Sequence, residues 1–206
     1  MTLSEILFLL IALAVCVTVH EAAHAWVASK LGDQTAKMQG RVSLNPARHL
    51  DPVGTLMILF IHFGWGRPVT FDPRNLKNPI RDAALISLAG PMTNLLTALA
   101  LAPILRLDLA PYPYVLLRTI YDLSIILFIF NLLPIPPLDG SKLIGLIVPK
   151  SKQEWYENYM RQGYIYIILL IIFDRASSML LGFSPLGMLI AYLYEPFGSL
   201  IGLSTS

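Results

Sequence analysis

The sequence predicts an all-α polytopic membrane protein with four to five transmembrane helices, and three observations lead to this fold class. Hydrophobic residues make up 55% of the 206 residues and charged residues only 14%, against roughly 25% charged in an ordinary soluble domain. Several apolar runs approach the ~20 residues that a membrane span needs. A long polar segment separates the first two runs. The net charge of +2 gives no reason to expect a nucleic-acid partner.

The predicted spans follow one another along the chain. The first covers about 3–29, and because no basic residue precedes it we expect a retained helix and not a cleaved signal peptide. Two more spans are predicted at about 83–105 and 115–133. A fourth apolar run, 164–173, reaches charged residues early. The last run, 179–203, is interrupted by Gly, Pro and Glu, so it fits either a fifth span or an interfacial helix.

The segment between the first two spans, 30–81, is irregular because Pro and Gly recur in it. It contains LMILFIHF (56–63), which is too short to span a bilayer, so we expect a short membrane-associated strand or re-entrant segment there. GRVSLNP (40–46) and GWGRPVTFD (64–72) alternate apolar and polar residues. Either an exposed strand edge, able to pair with an extended peptide, or a plain loop fits that pattern.

The basic residues indicate the orientation. Eight of the fifteen Lys and Arg residues lie in 30–81, and four more follow the third span. Only Arg106 and Arg118 lie around the connection between the second and third spans. By the positive-inside rule, the first and third spans both end on the cytoplasmic side of a plasma or inner membrane.

The strongest chemical signal is HEAAH, residues 20–24, near the end of the first span. His20 and His24 lie one turn apart on one helix face, where two imidazoles can hold one Zn²⁺. Glu21 can act as general base on a metal-bound water, as in the H-E-x-x-H metalloproteases. A His on an apolar face is more often a packed core residue. Ionisable groups inside a membrane span, however, are costly and mark functional sites.

A catalytic zinc needs a third protein ligand, and the best candidate is Asp139 in NLLPIPPLDG (131–140). The alternative role of this residue is to cap the N-terminus of a short helix that follows it. His49, Asp51 and His62 are rival ligands in the irregular segment, where no fixed spacing relates them to the histidine pair.

Three motifs in order resemble the site-2 protease family of zinc intramembrane metalloproteases: HEAAH, AGPMTN (89–94) in the second span, and NLLPIPPLDG closing the third. GRVSLNPARHLDPVGT and FGWGRPV are similar to its compact bacterial branch, which lacks a PDZ or CBS domain. The resemblance covers about 15–150. It implies one Zn²⁺ per chain held by His20, His24 and Asp139, with Glu21 activating the water.

The resemblance also implies roles for two asparagines. Asn131, the first residue of the third motif, would contact the substrate or the developing oxyanion. Asn94 would support the site or the helix packing. We expect one membrane-embedded protease domain, 1–206, with its catalytic core in about 1–150 and C-terminal helices in about 155–206.

The activity that the resemblance implies is zinc-dependent cleavage of peptide bonds in or near transmembrane segments of membrane-protein substrates. These would be single-pass or signal-peptide-like proteins in the lipid bilayer, cut for regulated intramembrane proteolysis or to clear signal-peptide remnants. The alternative is a non-proteolytic zinc-binding membrane protein such as a metal transporter or a pseudoprotease. A transporter would need polar ligands along a route through several spans, whereas here they concentrate at one depth.

Overall fold

The computed structural model describes residues 2–61 and 66–202. Over those residues the chain is predominantly helical and contains no β-sheet, which confirms the predicted all-α class. Its α-helices are α1 (Leu3–Leu31), α2 (Thr35–Met38), α3 (Pro52–Ile61), α4 (Pro79–Leu101), α5 (Pro111–Asn131), α6 (Gly140–Ile144), α7 (Gln153–Arg161), α8 (Gly163–Leu181) and α9 (Pro185–Leu200).

In the described part of the chain, four helical segments are long and apolar enough to cross a membrane: Leu3–Leu31, Pro79–Arg106, Pro111–Asn131 and Gly163–Leu181. The first three match the predicted spans to within about four residues, whereas the fourth continues past Asp174 and Arg175 to Leu181. The chain is a multi-pass membrane protein. The C-terminal run forms α9, which is not among these four segments. Its 16 residues give a helix of about 24 Å, shorter than the ~30 Å hydrocarbon core of a bilayer.

Local signals set the ends of α1, the helix that carries HEAAH. Thr2 and Glu5 form a capping box: the Thr2 hydroxyl accepts from the Glu5 N–H, and the Glu5 carboxylate accepts from the Thr2 N–H. Gly32 ends the helix with φ of 116°, a left-handed conformation that glycine adopts without a steric penalty. The 29 residues between these caps extend the helix beyond its apolar run.

Helices α1, α4 and α5 pack against one another and form the centre of the fold. Small residues at the contacts, among them Ala12, Cys16 and Ala98, are fully buried. Small side chains let helix backbones approach closely, which is how spans associate where lipid is as apolar as the side chains. The Cys16 Sγ lies 3.2 Å from the Ser124 Oγ of α5, so polar contacts also join these helices.

The run 56–63 is helical as far as it is described, because α3 covers it up to residue 61. A helix satisfies its backbone hydrogen bonds internally, whereas a lone strand in an apolar setting leaves them open. Within the described residues, 40–46 forms no strand, and the pairing outside helices is an isolated antiparallel bridge between Leu50 and Gly66. The loop interpretation therefore holds for 40–46; residues 62–65 lie outside the described part.

Helix α9 packs against α5 through polar contacts as well as apolar ones. The Tyr121 hydroxyl donates to the Phe197 carbonyl at 2.6 Å, and the Tyr194 hydroxyl donates to the Asp122 carboxylate. Arg118 pairs with the same carboxylate at 2.7 Å, one turn earlier on α5. A charged pair and two hydroxyls thus hold the C-terminal helix on the three-helix centre.

Candidate metal centre

The side chains of His20, His24 and Asp139 meet at one point between α1 and the start of α6. The two histidine Nε2 atoms are 3.0 Å apart, and each lies 3.2 Å from the Asp139 Oδ2. Both histidines are 7% exposed. Two imidazole nitrogens and one carboxylate oxygen therefore converge in a buried site although 119 positions separate His20 from Asp139 along the chain.

The spacing of these atoms fits a single zinc ion. Ligand atoms bound to one zinc at ~2.0–2.2 Å in tetrahedral geometry lie roughly 3.3–3.5 Å apart, close to the 3.0 and 3.2 Å observed. Imidazole and carboxylate are common zinc ligands, and three protein ligands leave the fourth position for water or substrate. The donor set is that of a catalytic zinc site.

Gly90 of α4 lies directly against the two imidazoles. A Cβ built on Gly90 would lie 2.4 Å from the His24 Nε2 and 2.6 Å from the His20 Nε2. Any other residue at position 90 would therefore fill the volume directly in front of both nitrogens. This glycine lies inside AGPMTN, a motif that the sequence analysis used only for the family resemblance.

The turn after α5 brings Asp139 to the histidines. A Cβ on Gly140 would lie 2.2 Å from the Leu132 carbonyl oxygen, so glycine allows α6 to start against the end of α5. Asp139 occupies the N-cap position of α6, but its side chain makes no capping hydrogen bond. Burial raises the pKa of Asp139, yet the nearby imidazoles outweigh it and hold that pKa well below its usual range. The geometry thus disfavours the capping alternative.

One face of α4 contacts the outer nitrogens of both imidazoles. The Ile86 carbonyl oxygen lies 2.6 Å from the His24 Nδ1, and the Asn94 amide lies 3.1 Å from the His20 Nδ1. A carbonyl can only accept, so His24 carries a proton on Nδ1 and, when neutral, keeps the lone pair of Nε2 for a metal. Ile86, Gly90 and Asn94 follow one another at intervals of four, the spacing of one helix face.

Glu21 lies beside the histidines and contacts the extended segment that follows the bridge between Leu50 and Gly66. The Val69 N–H donates to the Glu21 Oε2 at 2.9 Å. Buried Arg41 holds that segment, since its guanidinium donates to the carbonyls of Arg48 and Arg67. One carboxylate oxygen of Glu21 is thereby held by the backbone, and the second is not engaged by a described residue.

Among the described residues, Asn131 makes no hydrogen bond to His20, His24 or Asp139. Its amide donates to the Leu127 carbonyl of its own helix at 3.0 Å, at the last turn of α5. The residues that follow it abut Gly140, so Asn131 lies at the end of α5 against which α6 starts.

Two of the rival ligands are engaged elsewhere. The fully buried His49 has its Nε2 2.7 Å from the Ser43 carbonyl oxygen. Burial lowers the pKa of His49, and the hydrogen bond to Ser43 offsets this only in part, which favours a neutral ring. Asp51 accepts from the Gly54 N–H at the start of α3. His62 lies outside the described residues. Within those, His20, His24 and Asp139 are the group that meets the spacing of a metal site.

Known proteins resemble this chain over most of its length. The sequence profile described as "Peptidase family M50" matches residues 8–111 and 108–173. A Bacillus subtilis (strain 168) protein named "Putative zinc metalloprotease YwhC" is 40% identical over 192 residues, which cover 86% of each chain.

Mycobacterial relatives are more distant. "Putative zinc metalloprotease Rip2" of Mycolicibacterium smegmatis is 28% identical over 162 residues, covering 74% of this chain and 62% of that protein. Its namesake in Mycobacterium tuberculosis is 34% identical over 135 residues, covering 61% of this chain and 51% of that protein. No solved structure matches the chain.

Proposed function

Since the chain belongs to peptidase family M50, we propose that this zinc metalloprotease cleaves peptide bonds within or near the transmembrane segments of other membrane proteins. Its family membership confirms the resemblance drawn from HEAAH, AGPMTN and NLLPIPPLDG. The observation that carries the proposal is the meeting of three metal-ligand atoms among helices that are long and apolar enough to span a membrane. A substrate for such a site is itself embedded in lipid, as a single-pass or signal-peptide-like segment is.

In this proposal His20, His24 and Asp139 hold the zinc. When bound, zinc lowers the pKa of a water molecule to about 7 and polarises the carbonyl that is attacked. Glu21 would accept a proton from the attacking water and deliver it to the leaving amine, so that one carboxylate serves as general base and then as general acid. Its hydrogen bond from the Val69 N–H supports this role, because it orients the carboxylate beside His20.

Asn131 is proposed as the donor that stabilises the oxyanion of the substrate. Its amide would have to exchange the Leu127 carbonyl for the substrate oxygen. In other hydrolases, one oxyanion donor of this kind lowers the activation free energy by ~2.7–4 kcal/mol. The short distance along the chain from Asn131 to Asp139 supports the assignment, since both lie around the turn that leads from α5 to α6.

The site is proposed to face the cytoplasm. Basic residues concentrate in 30–81 and 142–161, which follow α1 and α5. His24 precedes the end of α1 at Leu31 by about 10 Å of helix, so water has a short path from that side. A single domain is the accompanying proposal, supported by the packing of α9 on α5 and by a family match that extends to residue 173.

The test measures zinc content and cleavage of a model transmembrane substrate by the purified protein in lipid vesicles. Glu21→Gln should retain one zinc per chain, because all three ligands remain, and should lose cleavage by ~10²–10⁴-fold, the usual contribution of general acid–base catalysis. Glu157→Gln, the same change at an exposed position of α7, is the matched control and should behave as wild type.

Two outcomes would contradict the proposal. Cleavage by Glu21→Gln above about a tenth of the wild-type rate would remove Glu21 from the role of base. Wild-type protein that holds zinc, leaves membrane-embedded substrates intact and instead carries zinc across the vesicle membrane would favour the transporter alternative.

A further inference from the structure

We propose that Asn94 is a positioning residue whose amide oxygen accepts a hydrogen bond from the His20 Nδ1 and so directs the His20 Nε2 at the metal. The inference rests on the proposed ligand set. Asn94 is 0% exposed and lies in the middle of a spanning helix. The amide reaches the His20 ring across the contact between α4 and α1.

The metal site decides which nitrogen of His20 carries the proton. The His20 Nε2 points at the His24 Nε2 and the Asp139 Oδ2, so this is the nitrogen that would bind zinc. A neutral imidazole has one N–H and one lone pair, and a metal ligand must offer the lone pair to the ion. The proton of His20 therefore belongs on Nδ1, and the group that faces Nδ1 must be an acceptor.

Asn94 can provide that acceptor. The amide nitrogen lies 3.1 Å from the His20 Nδ1, while the amide oxygen is buried without a partner among residues 2–61 and 66–202. A half-turn about the last side-chain bond exchanges the two atoms in almost the same volume, which sets the oxygen on the Nδ1 proton.

The arrangement at His24 supports this assignment. There the Ile86 carbonyl faces Nδ1 at 2.6 Å, and a carbonyl oxygen has no alternative to accepting. Ile86 and Asn94 lie two turns apart on the same face of α4, with Gly90 between them. Helix α4 would then supply an acceptor to each imidazole and the open volume in front of both. Such outer partners fix the ring orientation and raise the basicity of the ligand.

A packing role alone does not account for an amide at this position. The surroundings are apolar helix contacts, where a buried polar group is unfavourable unless it is hydrogen-bonded. If Asn94 served only to fill space, an apolar side chain with the same branching, such as leucine, would replace it without loss of zinc binding, and a carboxylate would be the damaging change. If Asn94 serves as an acceptor, leucine is the damaging replacement and the carboxylate is tolerated.

The experiment compares Asn94→Leu with Asn94→Asp in the purified full-length protein in detergent. The readout is the zinc dissociation constant, obtained by competition with a chromogenic chelator, together with the visible spectrum of the Co²⁺-substituted protein. We expect Asn94→Leu to weaken zinc binding by ~10–100-fold and to alter the Co²⁺ spectrum, as loss of an outer partner does. Asn94→Asp should bind within about threefold of wild type, because a carboxylate–histidine–zinc arrangement preserves the acceptor.

Thr97→Val is the matched control, since the Thr97 hydroxyl donates to the Thr93 carbonyl of its own helix and not to a histidine. Retention of wild-type affinity in Asn94→Leu overturns the proposal, and so does loss of zinc in Asn94→Asp. His20→Ala separates this failure from failure of the ligand set: if His20→Ala loses zinc while Asn94→Leu keeps it, the ligand assignment stands and only the role of Asn94 is wrong. Unchanged affinity in His20→Ala would overturn both.

Discussion

Replacing Gly90 by alanine adds one methyl group directly against the Nε2 atoms of both imidazoles. The new Cβ would lie 2.4 Å from the His24 Nε2 and 2.6 Å from the His20 Nε2, whereas ordinary contacts of a Cβ begin at 3.4 Å. The two rings must therefore retreat by about 1 Å, which is twice the ~0.5 Å within which a ligand constellation has to be held.

The magnitude follows from that displacement. Misplacement by 1 Å can cost about 10²-fold in rate, which corresponds to roughly 2.8 kcal/mol, and we expect a similar loss when two ligands of one ion are displaced together. We therefore expect Gly90→Ala to weaken zinc binding by at least ~100-fold. The helix itself should not suffer, because alanine is favoured over glycine in a helix interior by about 0.8–1.0 kcal/mol.

The assay measures zinc affinity by chelator competition, cleavage of the model substrate, and thermal unfolding of the zinc-free protein. Gly90→Ala should lose zinc affinity and cleavage, while the apoprotein still unfolds in one cooperative transition, destabilised at most by the ~1–3 kcal/mol that overpacking costs. Ala100→Val enlarges an exposed position of the same helix and should leave all three unchanged. Zinc affinity within threefold of wild type in Gly90→Ala would refute the reasoning, because the ion would then lie away from α4.

Two further predictions concern the third ligand and the topology. Asp139→Asn should weaken zinc binding by about tenfold (1.4 kcal/mol) or more, whereas a capping role would leave it unchanged because Asn and Asp cap almost equally well; His49→Ala should keep its zinc. Cysteine labelling in sealed vesicles should find Lys37→Cys and Lys150→Cys accessible from the cytoplasmic side and Asp108→Cys from the outside. Labelling of Asp108→Cys from the cytoplasmic side would show that the orientation is the opposite of the one predicted.

Hydropathy alone was sufficient to predict the first three spanning helices to within about four residues, whereas the fourth extends eight residues beyond its predicted run. Lipid acts as a nearly uniform apolar solvent, and a spanning segment must satisfy its backbone internally, so composition and length carry most of the information. The pairing of His20 with His24 was equally local, because a separation of four residues places two side chains on one helix face. The proline-rich run before Asp139 likewise predicted the end of α5.

The short apolar run in 30–81 was less determined by its sequence. A run of about eight residues that are mostly apolar fits a strand or a helix equally well, and contacts with flanking segments decide between the two. The structure forms α3 there as far as residue 61, and leaves 40–46 as a loop. The C-terminal run was ambiguous for a different reason, because Gly, Pro and Glu interrupt it. Its packing on α5 through Tyr194 and Asp122 depends on partners distant in sequence.

The metal centre needed the tertiary structure for everything beyond the histidine pair. Asp139 could be named from its motif, but its approach to 3.2 Å from both Nε2 atoms depends on how α5, α6 and α1 pack. Gly90 and the Ile86 carbonyl carry no chemical signal in a sequence, since one has no side chain and the other acts through its backbone. They become parts of the site because α4 lies against α1, and a contact between two helices is set by the shapes of both surfaces, which no local pattern in either one specifies.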